Sequence, residues 1–119
     1  MRTILDESVP EALAGHLPDH QVSTVKAEGW AGVKNGRLLV LIEAARFEAF
    51  ITADKRMQFE ETLERRPFAV LLLSTNHRET LEPHYHKIAA ALDTAEKGTL
   101  TKVECGRFVP HRFRRHPSP

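Results

Sequence analysis

The chain has 119 residues, of which 41% are hydrophobic and 28% are charged. This length is typical of one globular domain, and this composition excludes an intrinsically disordered chain. The lone cysteine, Cys105, excludes an internal disulfide bond. The first apolar stretch is too short and too interrupted by charge to form a signal peptide or a membrane span. We therefore expect a cytoplasmic protein without a membrane anchor.

Charge is distributed unevenly along the chain. The net charge is +1, but four of the 17 basic residues and none of the 16 acidic residues follow Gly106, so residues 1–106 carry a net charge of −3. We predict one α/β domain over residues 1–106 and a basic, proline-containing tail over residues 107–119. The tail mixes aromatic residues with arginines that suit RNA binding, although a solvated tail is the alternative. These arginines are Arg112, Arg114 and Arg115.

Five short segments are predicted to be β-strands. Residues 3–5 and 69–74 show no polar alternation, which is typical of strands that are covered on both faces of a parallel sheet. Residues 20–25 and 49–53 are rich in β-branched or aromatic side chains, and residues 99–105 alternate as edge strands do.

Apolar residues at helical spacing fill the four intervals between these strands. The predicted helices lie within residues 9–17, 38–47, 55–65 and 78–97, with Asn76 as the expected cap of the last one. The resulting order, β-α-β-α-β-α-β-α-β, predicts a three-layer α/β/α fold with a central, mainly parallel five-stranded sheet.

Acidic residues follow the first and third predicted strands. If the strand order is 2-1-3-4-5, ligands bind where the order reverses, and Asp6 and Asp54 lie there. Two close carboxylates repel unless a cation or a shared proton neutralises them, so we predict a Mg²⁺ or Mn²⁺ site. Glu7 is either a further ligand or an acceptor that orients a basic side chain. Capping of the following helices is the alternative role for these aspartates.

The stretch "GWAGVKNGRLL" precedes the second predicted helix. Asn35, at the start of that helix, offers an amide oxygen to a metal or to a water ligand. The N–H groups of a helix amino terminus also favour phosphate. The alternative is a turn with an ordinary helix cap.

Four motifs together resemble a family of small bacterial PIN-like proteins. They are "ILDESVP", "GWAGVKNGRLL", "FITADKRMQFEETL" and "STNHRETL", in this order, and the resemblance extends from about Arg2 to Leu92. PIN domains are metal-dependent ribonucleases, and many are toxins of toxin–antitoxin pairs. The resemblance therefore implies an α/β PIN-like fold, RNA cleavage with Mg²⁺ or Mn²⁺, an antitoxin partner and a homodimer.

The resemblance also implies individual roles. Asp6, Glu7 and Asp54 correspond to the catalytic, metal-binding acidic residues. Asn35 stands where many relatives carry an aspartate, and Asn76 matches a recurrent asparagine, so both are expected to be supporting polar residues.

The chain departs from this family at Arg56, where asparagine is common. Lys55 and Arg56 follow Asp54 directly, so they either bind a phosphate of the nucleic acid or pair with the carboxylates in place of part of the metal's charge. The second possibility favours an alternative function, a non-catalytic PIN-like domain that binds nucleic acid or a protein. A third alternative is a phosphoacceptor domain resembling receiver domains, with a hydroxyl from Ser74 or Thr75.

Overall fold

Five parallel strands form the centre of the protein, whose computed structural model describes residues 1–106. The strands lie in the order β2-β1-β3-β4-β5, the order that the placement of the site assumed, and all four pairings are parallel. The predicted basic tail lies outside the described residues. The strand bounds are β1 Arg2–Leu5, β2 Gln21–Thr24, β3 Ala49–Thr52, β4 Ala69–Leu73 and β5 Leu100–Val103.

Burial of the strands follows their place in the sheet. Every residue of β3 and β4 is buried, because both strands have a neighbour on each side and a packed layer on each face. β5 is an edge strand, as predicted, but its exposure does not alternate, because the adjacent residues Thr101 and Lys102 are both exposed. The only buried polar residues of the described chain are Thr3 and Thr52.

Two apolar clusters, one on each face of the sheet, complete a three-layer α/β/α fold. The first joins Leu5, Ile51 and Leu71 to residues of the first and last helical segments, including Leu13 and Ile88. The second joins Ile4, Phe50 and Val70 to the second and third helical segments through Leu38, Leu39, Ile42, Met57 and Leu63. The helices are α1 Asn35–Ala44, α2 Arg78–Leu81 and α3 Tyr85–Asp93.

The first and third predicted helices are replaced by 3₁₀ segments. The first interval holds one segment, Glu11–His16, which begins after Pro10 and precedes Pro18. The third interval holds two, Lys55–Phe59 and Leu63–Arg65.

The apolar pattern of the third interval does not form one helical face. Met57 and Leu63 are buried, but Phe59 is 77% exposed. Without a continuous apolar stripe, packing against the sheet does not favour a regular α-helix there.

The last predicted helix is divided at Pro83. α2 and α3 are separated by a 3₁₀ turn, Glu82–His84, because proline has no N–H to donate within a continuous helix. His77 rather than Asn76 is the cap of α2. Within residues 1–106, no helix has the length and apolar character that crossing a bilayer requires.

Candidate functional site

An open cleft of about 820 Å³ lies at the carboxyl ends of β1 and β3, where the strand order reverses. We call it the rim cleft. Its walls come from the loops after β1, β2, β3 and β4 and from the start of α1. The lining residues are Asp6, Glu7, Ser8, Gly32, Val33, Lys34, Asn35, Gly36, Ala53, Asp54, Arg56, Glu60 and Asn76.

Asp6 is the first residue after β1, and its N–H donates to the carbonyl of Ile51 on β3 at 2.9 Å. Its side chain is held by two hydroxyl groups. Ser8 Oγ donates to Asp6 Oδ2 at 2.6 Å, and Thr52 Oγ1 donates to the same oxygen at 2.9 Å. Both bonds fix the direction of the Asp6 carboxylate at the wall of the rim cleft.

Asp54 follows β3 and is the cap of the 3₁₀ segment Lys55–Phe59. Its Oδ1 accepts from the backbone N–H of Arg56 at 3.0 Å, as helix capping predicts. The Asn35 amide donates to Asp54 Oδ2 at 3.1 Å, which ties the start of α1 to the end of β3. The capping role that the sequence offered as an alternative for Asp54 is therefore confirmed.

The guanidinium of Arg56 covers the Asp54 carboxylate. Arg56 Nη2 lies 2.8 Å from Oδ2, and Arg56 Nε lies 3.0 Å from Oδ1. This pair, helped by the Asn35 amide, lowers the pKa of Asp54 from 3.8 to about 2, against the opposing effect of partial burial. The sequence left two roles open for Arg56, binding of a phosphate or pairing with a carboxylate. The structure contains the pair with Asp54.

Glu7, Lys34 and Asn76 reach the rim cleft from three different loops. Glu7 Oε1 accepts from the N–H of Gly32 at 3.3 Å, so this exposed carboxylate contacts the glycine-containing turn before α1. No side chain caps the amino end of α1. That end lines the rim cleft, where its N–H groups favour an anionic ligand.

Lys55 is separated from the other predicted site residues. It lines a smaller cavity of about 260 Å³ with Gln58, Lys102 and Ser74 on the other side of the 3₁₀ segment. Three further predicted nucleic-acid contacts, Arg112, Arg114 and Arg115, lie outside the described residues.

The side-chain atoms of the rim cleft that can ligate a metal are oxygen atoms, which suit Mg²⁺ or Mn²⁺. No three His, Cys, Asp or Glu side chains between residues 1 and 106 lie close enough together to enclose a metal ion. Mg²⁺ commonly binds through one or two carboxylates and keeps several waters. Asp6 and Asp54 supply two carboxylates to the rim cleft, and Arg56 pairs with the second of them.

Two residues that shape the site, Ser8 and Thr52, were not predicted as site residues from the sequence. Ser8 Oγ accepts from the N–H of Ala53 at 3.0 Å, and Thr52 Oγ1 accepts from the N–H of Asp54 at 3.0 Å. Each hydroxyl therefore links Asp6 to the chain after β3. The sequence does contain an indication of both roles. Ser8 is two residues after Asp6 and Thr52 is two residues before Asp54, and this spacing permits local hydrogen bonds of a hydroxyl side chain.

The hydroxyls of the receiver-like alternative lie outside the rim cleft. Ser74 Oγ donates to the carbonyl of Gly106 at 2.7 Å and accepts from the N–H of Cys105. Thr75 Oγ1 accepts from the N–H of His77 at 3.2 Å. Both hydroxyls organise the chain at the ends of β4 and β5.

The chain was compared with protein-family models, curated proteins and solved structures, and none of these comparisons gave a match. The PIN-like resemblance thus depends on the sequence motifs alone.

Proposed function

We propose that the chain is a PIN-like ribonuclease that hydrolyses phosphodiester bonds with Mg²⁺ or Mn²⁺. The observation that carries this proposal is the placement of Asp6 and Asp54 at the ends of adjacent strands, on the walls of one open cleft. A carboxylate pair in this position suits a hard divalent cation. Glu7 is the third proposed acidic residue of the site.

The bound cation would activate water and stabilise the charge that develops on the phosphodiester. The chain's own residues then have distinct tasks. Thr52 and Ser8 orient Asp6 through the hydrogen bonds described above, and the Asn35 amide orients Asp54. Lys34 on the cleft wall supplies positive charge for a phosphate group.

RNA as the substrate is supported by the resemblance, as are an antitoxin and a second copy of the chain as partners. The cytoplasm is the compartment that we propose, because the single cysteine of the chain forms no internal disulfide bond.

Calorimetric titration of Mn²⁺ into the wild-type protein and, separately, into Asp54→Asn tests the metal site. We expect binding to the wild type and its loss in the variant, because Asn removes the charge of one ligand while still capping the 3₁₀ segment. Asp19→Asn is the matched control. Asp19 is exposed and lies just before β2, at the amino ends of the strands, whereas the rim cleft lies at their carboxyl ends. Equal binding by Asp54→Asn and the wild type would refute the site.

A non-catalytic domain that binds nucleic acid or protein is the second candidate function. The Arg56–Asp54 pair favours it, because Arg56 already neutralises one of the two central carboxylates. Absence of Mn²⁺ binding, together with metal-independent RNA binding by the full chain, would support this function. RNA cleavage that EDTA abolishes would exclude it.

A further inference from the structure

The oxygens of Asp54 are fully used by hydrogen-bond donors. Oδ1 accepts from the Arg56 backbone N–H and from Arg56 Nε, each at 3.0 Å. Oδ2 accepts from Arg56 Nη2 at 2.8 Å and from Asn35 Nδ2 at 3.1 Å. A carboxylate offers about four acceptor positions, so a cation can bind Asp54 only if a donor leaves.

Arg56 is the donor that can leave most easily. Its side chain is 83% exposed, whereas that of Asp54 is 18% exposed. Rotation of the Arg56 side chain therefore requires no change in the core. Asn35 belongs to α1, and the backbone N–H of Arg56 belongs to the 3₁₀ segment, so these two donors stay in place.

The released guanidinium would lie in the same cleft as the reacting phosphodiester. Its planar arrangement of N–H groups fits two phosphate oxygens as well as it fits a carboxylate. Arg56 is thus able to exchange one anion, Asp54, for another without leaving the rim cleft.

We propose that Arg56 alternates between Asp54 and the phosphodiester, so that the metal ion and the substrate bind cooperatively. The metal releases Arg56 from Asp54 for the phosphate, and the phosphate holds Arg56 away from Asp54 for the metal. Linkage requires each ligand to strengthen the binding of the other by the same factor. This inference rests on the proposed metal-dependent function.

The first test compares Mn²⁺ binding by the wild type and Arg56→Gln. Removing the competing cation should tighten Mn²⁺ binding roughly two- to fivefold, the range expected for loss of an exposed ion pair. Arg78→Gln is the matched control, because it breaks another surface ion pair, with Glu82, on α2 and away from the rim cleft. Its Mn²⁺ affinity should equal that of the wild type.

The outcomes of this test separate the two proposals. If Arg56→Gln binds Mn²⁺ no more tightly than the wild type, while Asp54→Asn loses binding, the cooperative role is refuted and the metal site stands. If neither the wild type nor Arg56→Gln binds Mn²⁺, both proposals fail. Binding that is tighter in Arg56→Gln, or detectable only there, supports the exchange.

The second test uses dimethyl phosphate, a minimal phosphodiester, and needs no metal. NMR titration should show tighter binding to Asp54→Asn than to Asp6→Asn. Both variants remove one negative charge from the rim cleft, but only Asp54→Asn releases Arg56. Equal affinities would overturn the proposal, because they would show that charge alone controls phosphate binding.

Discussion

The buried hydroxyl of Thr52 donates a hydrogen bond of 2.9 Å to Asp6 Oδ2, across the boundary between β3 and β1. The same hydroxyl accepts from the N–H of Asp54 at 3.0 Å. One side chain of the core therefore contacts the carboxylate of one proposed ligand and the backbone of the other. The geometry of the rim cleft depends on a residue that does not line it.

Thr52→Val should destabilise the protein by about 1–2 kcal/mol, because it removes both hydrogen bonds without changing the shape of the side chain. The N–H of Asp54 loses its partner, and Asp6 Oδ2 keeps only the bond from Ser8. Urea unfolding measures the loss. We also expect weaker Mn²⁺ binding, because the Asp6 carboxylate is less well oriented.

Thr3→Val provides the control for Thr52→Val. Thr3 is also fully buried in the sheet, but its hydroxyl donates only a long bond of 3.3 Å, to the carbonyl of Met1. Its replacement should cost less than about 1 kcal/mol and should leave Mn²⁺ binding unchanged. An equal loss of stability in both variants would contradict the special role of Thr52.

The ionisation of Asp54 should make stability depend on pH. In the folded protein its pKa is about 2, below the ordinary value of 3.8, chiefly because of Arg56. A group with a lowered pKa stabilises the folded state above its ordinary pKa, and this contribution disappears as the pH falls from about 4 to 2. The difference corresponds to about 2 kcal/mol, which solvent screening of the exposed Arg56 reduces to about 1 kcal/mol.

Urea unfolding of the wild type and Asp54→Asn at pH 6 and pH 3 tests this dependence. The stability advantage of the wild type should fall to roughly half between these values, because the asparagine does not titrate. Addition of salt at pH 6 should reduce the same advantage. A stability difference that stays constant from pH 6 to pH 3 would show that the Arg56–Asp54 pair contributes nothing in solution.

The sheet could be predicted because its central strands are short, apolar and separated by clear intervals. Apolar runs such as 69–73 are buried, as their composition predicts, but the strand order had to be assumed before the switch-point rule could bring Asp6 and Asp54 together. The helical intervals were less predictable. Apolar spacing did not reveal that Phe59 is exposed, nor that Pro83 divides the last helix.

Side-chain pairing within the site depends on distances that a sequence does not contain. Arg56 next to Asp54 permits two arrangements, phosphate binding or a carboxylate pair, and only the backbone of the 3₁₀ segment brings Nε and Nη2 onto both oxygens. The separation of Lys55 from the rim cleft has the same origin. Successive residues of a 3₁₀ helix are about 120° apart around its axis, so Arg56 lines the rim cleft whereas Lys55 lines the neighbouring cavity.

The turn before β5 should be sensitive to substitution of its glycine. Gly98 has a φ of +79°, and an added Cβ would lie 3.1 Å from the backbone carbonyl oxygen of Glu64. Gly98→Ala should therefore destabilise the fold by about 1–3 kcal/mol, since neither the backbone nor the carbonyl can adjust without cost. Gly36→Ala should instead stabilise it by up to about 1 kcal/mol, because Gly36 is helical and an added Cβ would lie in open space. Urea unfolding measures both variants, and a Gly98→Ala protein as stable as the wild type would mean that this turn can adopt another conformation.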